Sequence, residues 1–281
     1  MCKLTIENEL LKIDVNQTGG CLMSVYDKER EKELMWPGDP DSWRFQDVVI
    51  FPLIGKPANG YDVDGKTYDF RLPHGVARWE TYEVEEHTPE GLVLRLESNE
   101  ETLSRYPYHF RLRLIYRLKG KKFSLTYAVS NTAGERMPYQ VGAHAGFQTA
   151  GKAIRIEFDR PDPLRNFPFD GTMHRPSQPL SPDGVLELTS ELCQEKMAFI
   201  LDHPCESCTV IRGDGIKLRY QWKDAPYVNL FGYSKGGEFM CVEPWWGICE
   251  SPETSRELAE KEEMYIAGAE ERSHTYSCEI M

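Results

Sequence analysis

Residues 110–118 read FRLRLIYRL, residues 123–131 read FSLTYAVSN, and KGKK lies between them. In the first run Phe110, Leu112, Leu114, Tyr116 and Leu118 alternate with arginines at 111, 113 and 117. In a strand, period two puts the apolar side chains on one face and the charges on the other, whereas a helix would scatter both around its axis. The second run places Phe123, Leu125, Tyr127 and Val129 on one face, with small polar residues mainly opposite. Two such runs joined by a glycine-containing turn predict an antiparallel hairpin with one buried face.

The same rhythm recurs in LLKIDV (10–15), LVLRLES (92–98), AIRIEF (153–158) and IKLRYQW (216–222). Turn-forming clusters separate these runs: NQTGG (16–20), DVDGK (62–66), TPEG (88–91), SPDG (181–184) and RGDG (212–215). SPETSRELAEKEEMYI (251–266) combines a capping-type start with helix formers, so a helix is predicted there, although its apolar stripe is thin. The 18 prolines and 22 glycines are spread throughout, and no linker or low-complexity break stands out. The expectation is one all-β domain over residues 1–281, built from two large antiparallel sheets packed face to face.

A net charge of −12 and the absence of a basic stripe argue against nucleic acid and anionic membranes as partners. No apolar run reaches the ~18–20 residues of a membrane span. The start, MCKLTIENELLKIDV, is polar and acidic rather than signal-like. These features predict a soluble cytoplasmic protein acting on something small and uncharged or weakly charged. The eight cysteines then read as reduced thiols. Cys205 and Cys208 form a lone CxxC, with neither the second pair of a zinc site nor the βαβ setting of a redox pair.

Of the seven histidines, His87, His174, His203 and His274 read as solvated residues of polar turns, and His109 shares the exposed arginine face of its strand. His144, in QVGAHAGFQ, is flanked by small residues that would keep space open around its ring. His74 sits between Pro73 and Gly75, a turn that would present the imidazole. Neither fits a close-spaced metal motif. The stretch FMCVEPWWGICE (239–250) runs an apolar strand straight into Glu243 and a pair of tryptophans. A carboxylate in apolar surroundings costs several kcal/mol or more unless it is paired or neutralised. Glu243 therefore either has a partner or is there to react. His144, His74 and Glu243 together supply groups suited to acid–base work near neutral pH. Trp245 and Trp246 offer flat apolar faces to the C–H surface of a sugar, or else fill the core.

The ordered blocks FPLIGKPANG (51–60), LPHGVAR (72–78), YPYHF (106–110), VGAHAGF (141–147) and CVEPWWG (241–247) resemble the aldose 1-epimerase (galactose mutarotase) superfamily, in particular its lactose-operon mutarotase-like branch. GAEERSHTYSCEI (268–280) is similar to the family's closing strand. The resemblance implies a β-supersandwich that interconverts the α and β anomers of a free aldose without cofactor or metal. It puts His144 at the general acid position and Glu243 at the general base. His74 takes the place of the second active-site histidine, beside the ring oxygen, and Arg78 that of the arginine after HGxA. Lys56 stands where the family usually has arginine, keeping the charge without the planar fork. Two other readings compete. One is a hexose-6-phosphate epimerase, with Lys56 and Arg78 on the phosphate. The other is a carbohydrate-binding or sensing domain, which would have no need of an acid–base pair.

Overall fold

The computed structural model describes every residue except 1, 161, 162, 197, 262, 263 and 267. The hairpin forms as the alternation predicts: Phe110–Lys119 pairs antiparallel with Lys122–Asn131, Phe123 facing Leu118 and Tyr127 facing Leu114. Phe110, Leu112, Leu114, Tyr116, Phe123 and Leu125 are sealed from solvent. Each such side chain contributes about 1.5–3 kcal/mol by leaving water. The arginines between them stay at the surface and pair with acids, Arg111 with Glu97, Arg113 with Glu271 and Arg117 with Glu86.

This hairpin sits inside a nine-stranded sheet. On one side it continues to Gly91–Glu97 and Glu83–Thr88; on the other it reaches Glu271–Ile280, Lys217–Trp222, Ser207–Ile211, Ala153–Phe158 and Val185–Thr189. A seven-stranded sheet packs against it, built around Phe239–Trp246, Tyr227–Gly232 and Ala198–Asp202. Among the described residues the strands of both sheets pair antiparallel, and the apolar faces of both sheets join in one core where Tyr127 meets Trp246 and Phe123 meets Phe147. The Lys3–Glu7, Leu11–Asn16, Leu22–Asp27 and Lys32–Glu33 strands make a separate four-stranded sheet. This is the large antiparallel β-sandwich expected. Among the described residues no helix is long and apolar enough to cross a membrane.

Residues 251–266 do not form the predicted helix. They hold turns, a single 3-10 turn at Leu258–Glu260 and the strand Met264–Ile266, which pairs with Met137–Tyr139; residues 262 and 263 of that stretch lie outside the described residues. Leu258 and Ile266 are too few to bury a helix face, and pairing the strand satisfies backbone groups directly. The helices that do form are short: Glu100–Leu103, capped by Asn99, and Ser190–Lys196. Two histidines also differ from expectation. His274 is buried in the closing strand with Nε2 2.6 Å from Tyr139 Oη, and burial pushes its pKa down to about 4. His87 is exposed as expected but lies on the strand Glu83–Thr88, because the sheet extends to its edge there. All eight cysteines are free thiols.

The buried face of the hairpin carries stability that its arginine face does not. Leu114→Ala should cost about 2–5 kcal/mol in urea unfolding. Arg117→Ala should stay within about 1 kcal/mol, because its partner Glu86 is solvated.

Candidate active site

The strand Phe239–Trp246 is buried along its whole length, so both faces meet protein. Met240, Val242 and Trp246 enter the main core. Phe239, Cys241, Glu243 and Trp245 point the other way, into smaller apolar clusters on the outer side of the sheet. Trp246 is therefore a core residue and not a sugar platform: its Nε1 donates to the Lys223 carbonyl at 2.9 Å and its ring meets Tyr127 and His274. Trp245 lines the cavity on the other side of the sheet.

Glu243 has no exposed surface. Directly across the ladder stands Asn229, whose Nδ2 donates to Oε1 at 3.0 Å, while Trp245 Nε1 donates to Oε2 at 3.2 Å. Hydrogen bonds to a charged group contribute about 1.5–3 kcal/mol each. Among the described residues no lysine or arginine pairs with this carboxylate; its only ionisable partner is His144, with Nδ1 3.4 Å from Oε1. Desolvation wins over the two N–H donors and holds the Glu243 pKa well above the usual carboxylate range. The same burial pushes His144 down to about 3. Burial thus favours the neutral form of each group, a protonated carboxyl beside an uncharged imidazole.

His144 lies between Val141–Gly142 and Gly146–Gln148, which both pair with the Glu243 strand. Its backbone N–H, with those of Leu22 (2.8 Å) and Val48 (2.7 Å), is accepted by the buried Asp47 carboxylate. Burial raises the Asp47 pKa to about 6 despite these donors. The ring stacks on Trp43 with centroids 5.1 Å apart and meets Phe231 and His74 edge-on. Space around the imidazole is thus filled and not open as the small neighbours suggested. A Cβ at Gly142 would lie 2.7 Å from Trp245 Cδ1, and one at Gly146 2.6 Å from Trp43 Cζ3. The glycines are there to let the two indoles close in.

His74 and Gly75 both take positive φ, 77° and 78°. A Cβ at Gly75 would collide with the Phe51 carbonyl, so only glycine fits where this turn crosses the 51–55 segment. His74 Nδ1 accepts from the Gly55 N–H at 3.3 Å, which leaves its proton on Nε2. Desolvation, with His144 and Arg78 nearby, keeps its pKa well below the ordinary value. Arg78 lies over Phe45 and Trp79 and donates from Nη1 to the Pro73 carbonyl, whereas Nη2 is buried without a partner. Lys56 is paired with Asp69 at 3.2 Å.

These pieces surround a cavity of about 590 Å³, walled by His74, His144, Arg78, Lys56, Trp245 and Asn229, with Trp43, Phe45 and Phe231 giving it an apolar lining. The sequence-derived residues thus come together in one place. Glu243 itself stands behind the wall, in contact with His144, Asn229 and Trp245. Sequence reasoning missed Asn229, Asp47, Trp43 and Phe231. Asn229 and Asp47 carried the same cue as Glu243, a polar group beside an apolar run. Phe231 lies on the same strand as Asn229, and Trp43 arrives from a segment with no such cue.

Residues 3–161 match the family described as Aldose 1-epimerase. The chromosomal Protein LacX of Lactococcus lactis subsp. lactis is 28% identical over 277 residues, 92% of each chain. A galactose mutarotase related enzyme from Lactobacillus acidophilus superposes with a TM-score of 0.94 at 26% identity, over 100% of this chain and 97% of the other. A galactose mutarotase-like protein from Lactobacillus casei ATCC 334, at 22% identity, shares the fold with a TM-score of 0.91 over the full length of both. The chain belongs to the aldose 1-epimerase family, a family of isomerases that act on sugars, in a LacX-like branch.

Asp47 fixes the backbone that carries His144. Asp47→Ala leaves three backbone N–H groups without their acceptor and should lower urea stability by about 3 kcal/mol or more. Asp47→Asn retains one oxygen acceptor and should lose less.

Proposed function

We propose that the chain is an aldose 1-epimerase, interconverting the α and β anomers of a free aldose, with His144 and Glu243 exchanging the protons. The observation that carries this reading is the buried His144–Glu243 pair, 3.4 Å apart beside a cavity with apolar walls, with both groups shifted by burial toward their neutral forms. Ring opening needs one proton taken from O1–H and one given to the ring oxygen. As C1–O5 breaks, O1 becomes the aldehyde oxygen; rotation about C1–C2 and the reverse transfers close the other anomer. The pair ends each turnover with the proton count it began with, so the cycle needs no outside acid or base.

In the tautomer that carries the proton on His144 rather than on Glu243, Glu243 accepts the anomeric proton while His144 protonates the ring oxygen; burial favours the opposite tautomer, so turnover draws on the less populated one. The carboxylate sits behind the cavity wall, which favours a second route in which its proton passes through His144. His74, protonated on Nε2, can donate near the ring oxygen, and the free Nη2 of Arg78 can bond a hydroxyl. Trp245 has two uses: its face can lie against sugar C–H groups while its N–H steadies Glu243. Lys56 is engaged by Asp69, which favours a neutral sugar over a phosphorylated one. The working unit is taken to be residues 1–281 as one domain in the cytoplasm.

Proton NMR of anomer exchange across a panel of aldoses and their 6-phosphates tests the reading. Exchange no faster than the spontaneous background for every sugar would refute it. General acid–base transfer is worth about 10²–10⁴ in rate. Glu243→Gln and His144→Asn should each slow turnover by at least about a hundredfold, with a much smaller change in KM. On the direct route His144→Asn retains part of the Glu243 contribution. On the relayed route the two variants are equally slow, and the double variant no slower.

The pH profile should be bell-shaped with a broad plateau. Its acid limb marks a second proton arriving on His144, displaced from 6.5 toward about 3 by burial. Its alkaline limb marks loss of the shared proton, displaced upward because burial raises Glu243. Trp245→Phe removes one N–H donor from the carboxylate, so the charged form is less favoured and the alkaline limb should move further up. An unchanged limb would show that Glu243 does not govern it.

A further inference from the structure

Cys241 has no part in the proton exchange, yet its side chain shares a strand face with Glu243, two residues away on Phe239–Trp246. Its Sγ, an imidazole nitrogen of His144 and a carboxylate oxygen of Glu243 all lie within 4.8 Å of one another. His144 is 93% buried by its 7% relative exposure, and its Nδ1 has no hydrogen-bond partner. That unpartnered nitrogen is aimed at Glu243, 3.4 Å from Oε1. We propose that His144, Cys241 and Glu243 form a binding site for one soft divalent metal ion of the Zn²⁺ class, and that the ion switches off the proton pair by occupying it. The site goes beyond the epimerase reading; only the loss of activity rests on it.

Three considerations support the ligand class. Zinc bonds of about 2.0–2.3 Å put ligand atoms around one ion roughly 3.3–3.8 Å apart. The His144–Glu243 distance is already in that range, and the Cys241 Sγ lies within 4.8 Å of both groups. The charge also balances. Binding displaces the proton of the Cys241 thiol and any proton on Glu243. A dication then stands with one thiolate, one carboxylate and one neutral imidazole, for a net charge of zero in a buried site. Finally, Asn229 and Trp245 already hold the Glu243 oxygens, as outer partners do around a metal ligand. A thiolate selects zinc, cadmium or cobalt over magnesium and calcium. His144 is the one ligand of the three that lines the cavity, while Cys241 and Glu243 lie behind it.

The test uses the full-length protein, stripped with chelator and titrated with Co²⁺ and Zn²⁺. Expected is one ion per chain, with the near-ultraviolet thiolate-to-cobalt charge-transfer absorption. Cys241→Ala, and Cys241→Ser as a variant closer in size, should lose that absorption and bind Zn²⁺ at least about tenfold more weakly. Both should keep anomer exchange in metal-free buffer and resist Zn²⁺ inhibition. Binding without the charge-transfer band, or equal Zn²⁺ affinity in both cysteine variants, would overturn the site. Full activity in the zinc-loaded native protein would overturn the switch. A normal cobalt spectrum with no anomer exchange in the metal-free protein would leave the site standing and remove the epimerase reading instead.

Discussion

A carboxylate buried without a cation is the constraint around which this structure is arranged. Glu243 receives N–H bonds from Asn229 and Trp245, and these do not recover the cost of leaving water. Burial therefore favours the protonated carboxyl, with the uncharged His144 ring 3.4 Å away. Asn229 can reach the carboxylate because the ladder sets it directly opposite. His144 can reach it because Asp47 fixes the backbone at that point.

The strand that carries Glu243 also ties the site to the core. One set of alternate side chains, Met240, Val242 and Trp246, fills the space between the two large sheets. The other set, Phe239, Cys241, Glu243 and Trp245, builds the floor behind the cavity. A shift of one residue in register would exchange the two faces, burying Glu243 in the main core and turning Trp246 outward. The same packing that stabilises the sandwich thus holds the His144–Glu243 pair in place.

The cavity wall shows the same economy in its smaller parts. Gly142 and Gly146 are spaces for Trp245 and Trp43, and the glycine after His74 admits the Phe51 carbonyl. Arg78 is held over Phe45 and Trp79 by its flat faces, which leaves one nitrogen of its fork free for a ligand. Lys56 forms a solvent-exposed pair with Asp69 at 3.2 Å.

The all-β sandwich was legible in the sequence because strand alternation is local: FRLRLIYRL places its own apolar face wherever the strand ends up. The residues of the site were legible as types, since a carboxylate and two histidines beside aromatics stand out against apolar runs. Their grouping was read from resemblance. The helix expected over 251–266 did not form and His274 was not solvated, because burial and strand pairing are supplied by distant segments, Met137–Tyr139 in both cases. Tertiary structure alone decided which tryptophan faces the site, that Asn229 holds Glu243, and that Cys241 lies beside the proton pair. Those facts depend on register and on which sheet face is covered, and neither is encoded within any one strand. Strand periodicity determined what each segment could be; only the packing of one sheet on the other decided what its side chains meet.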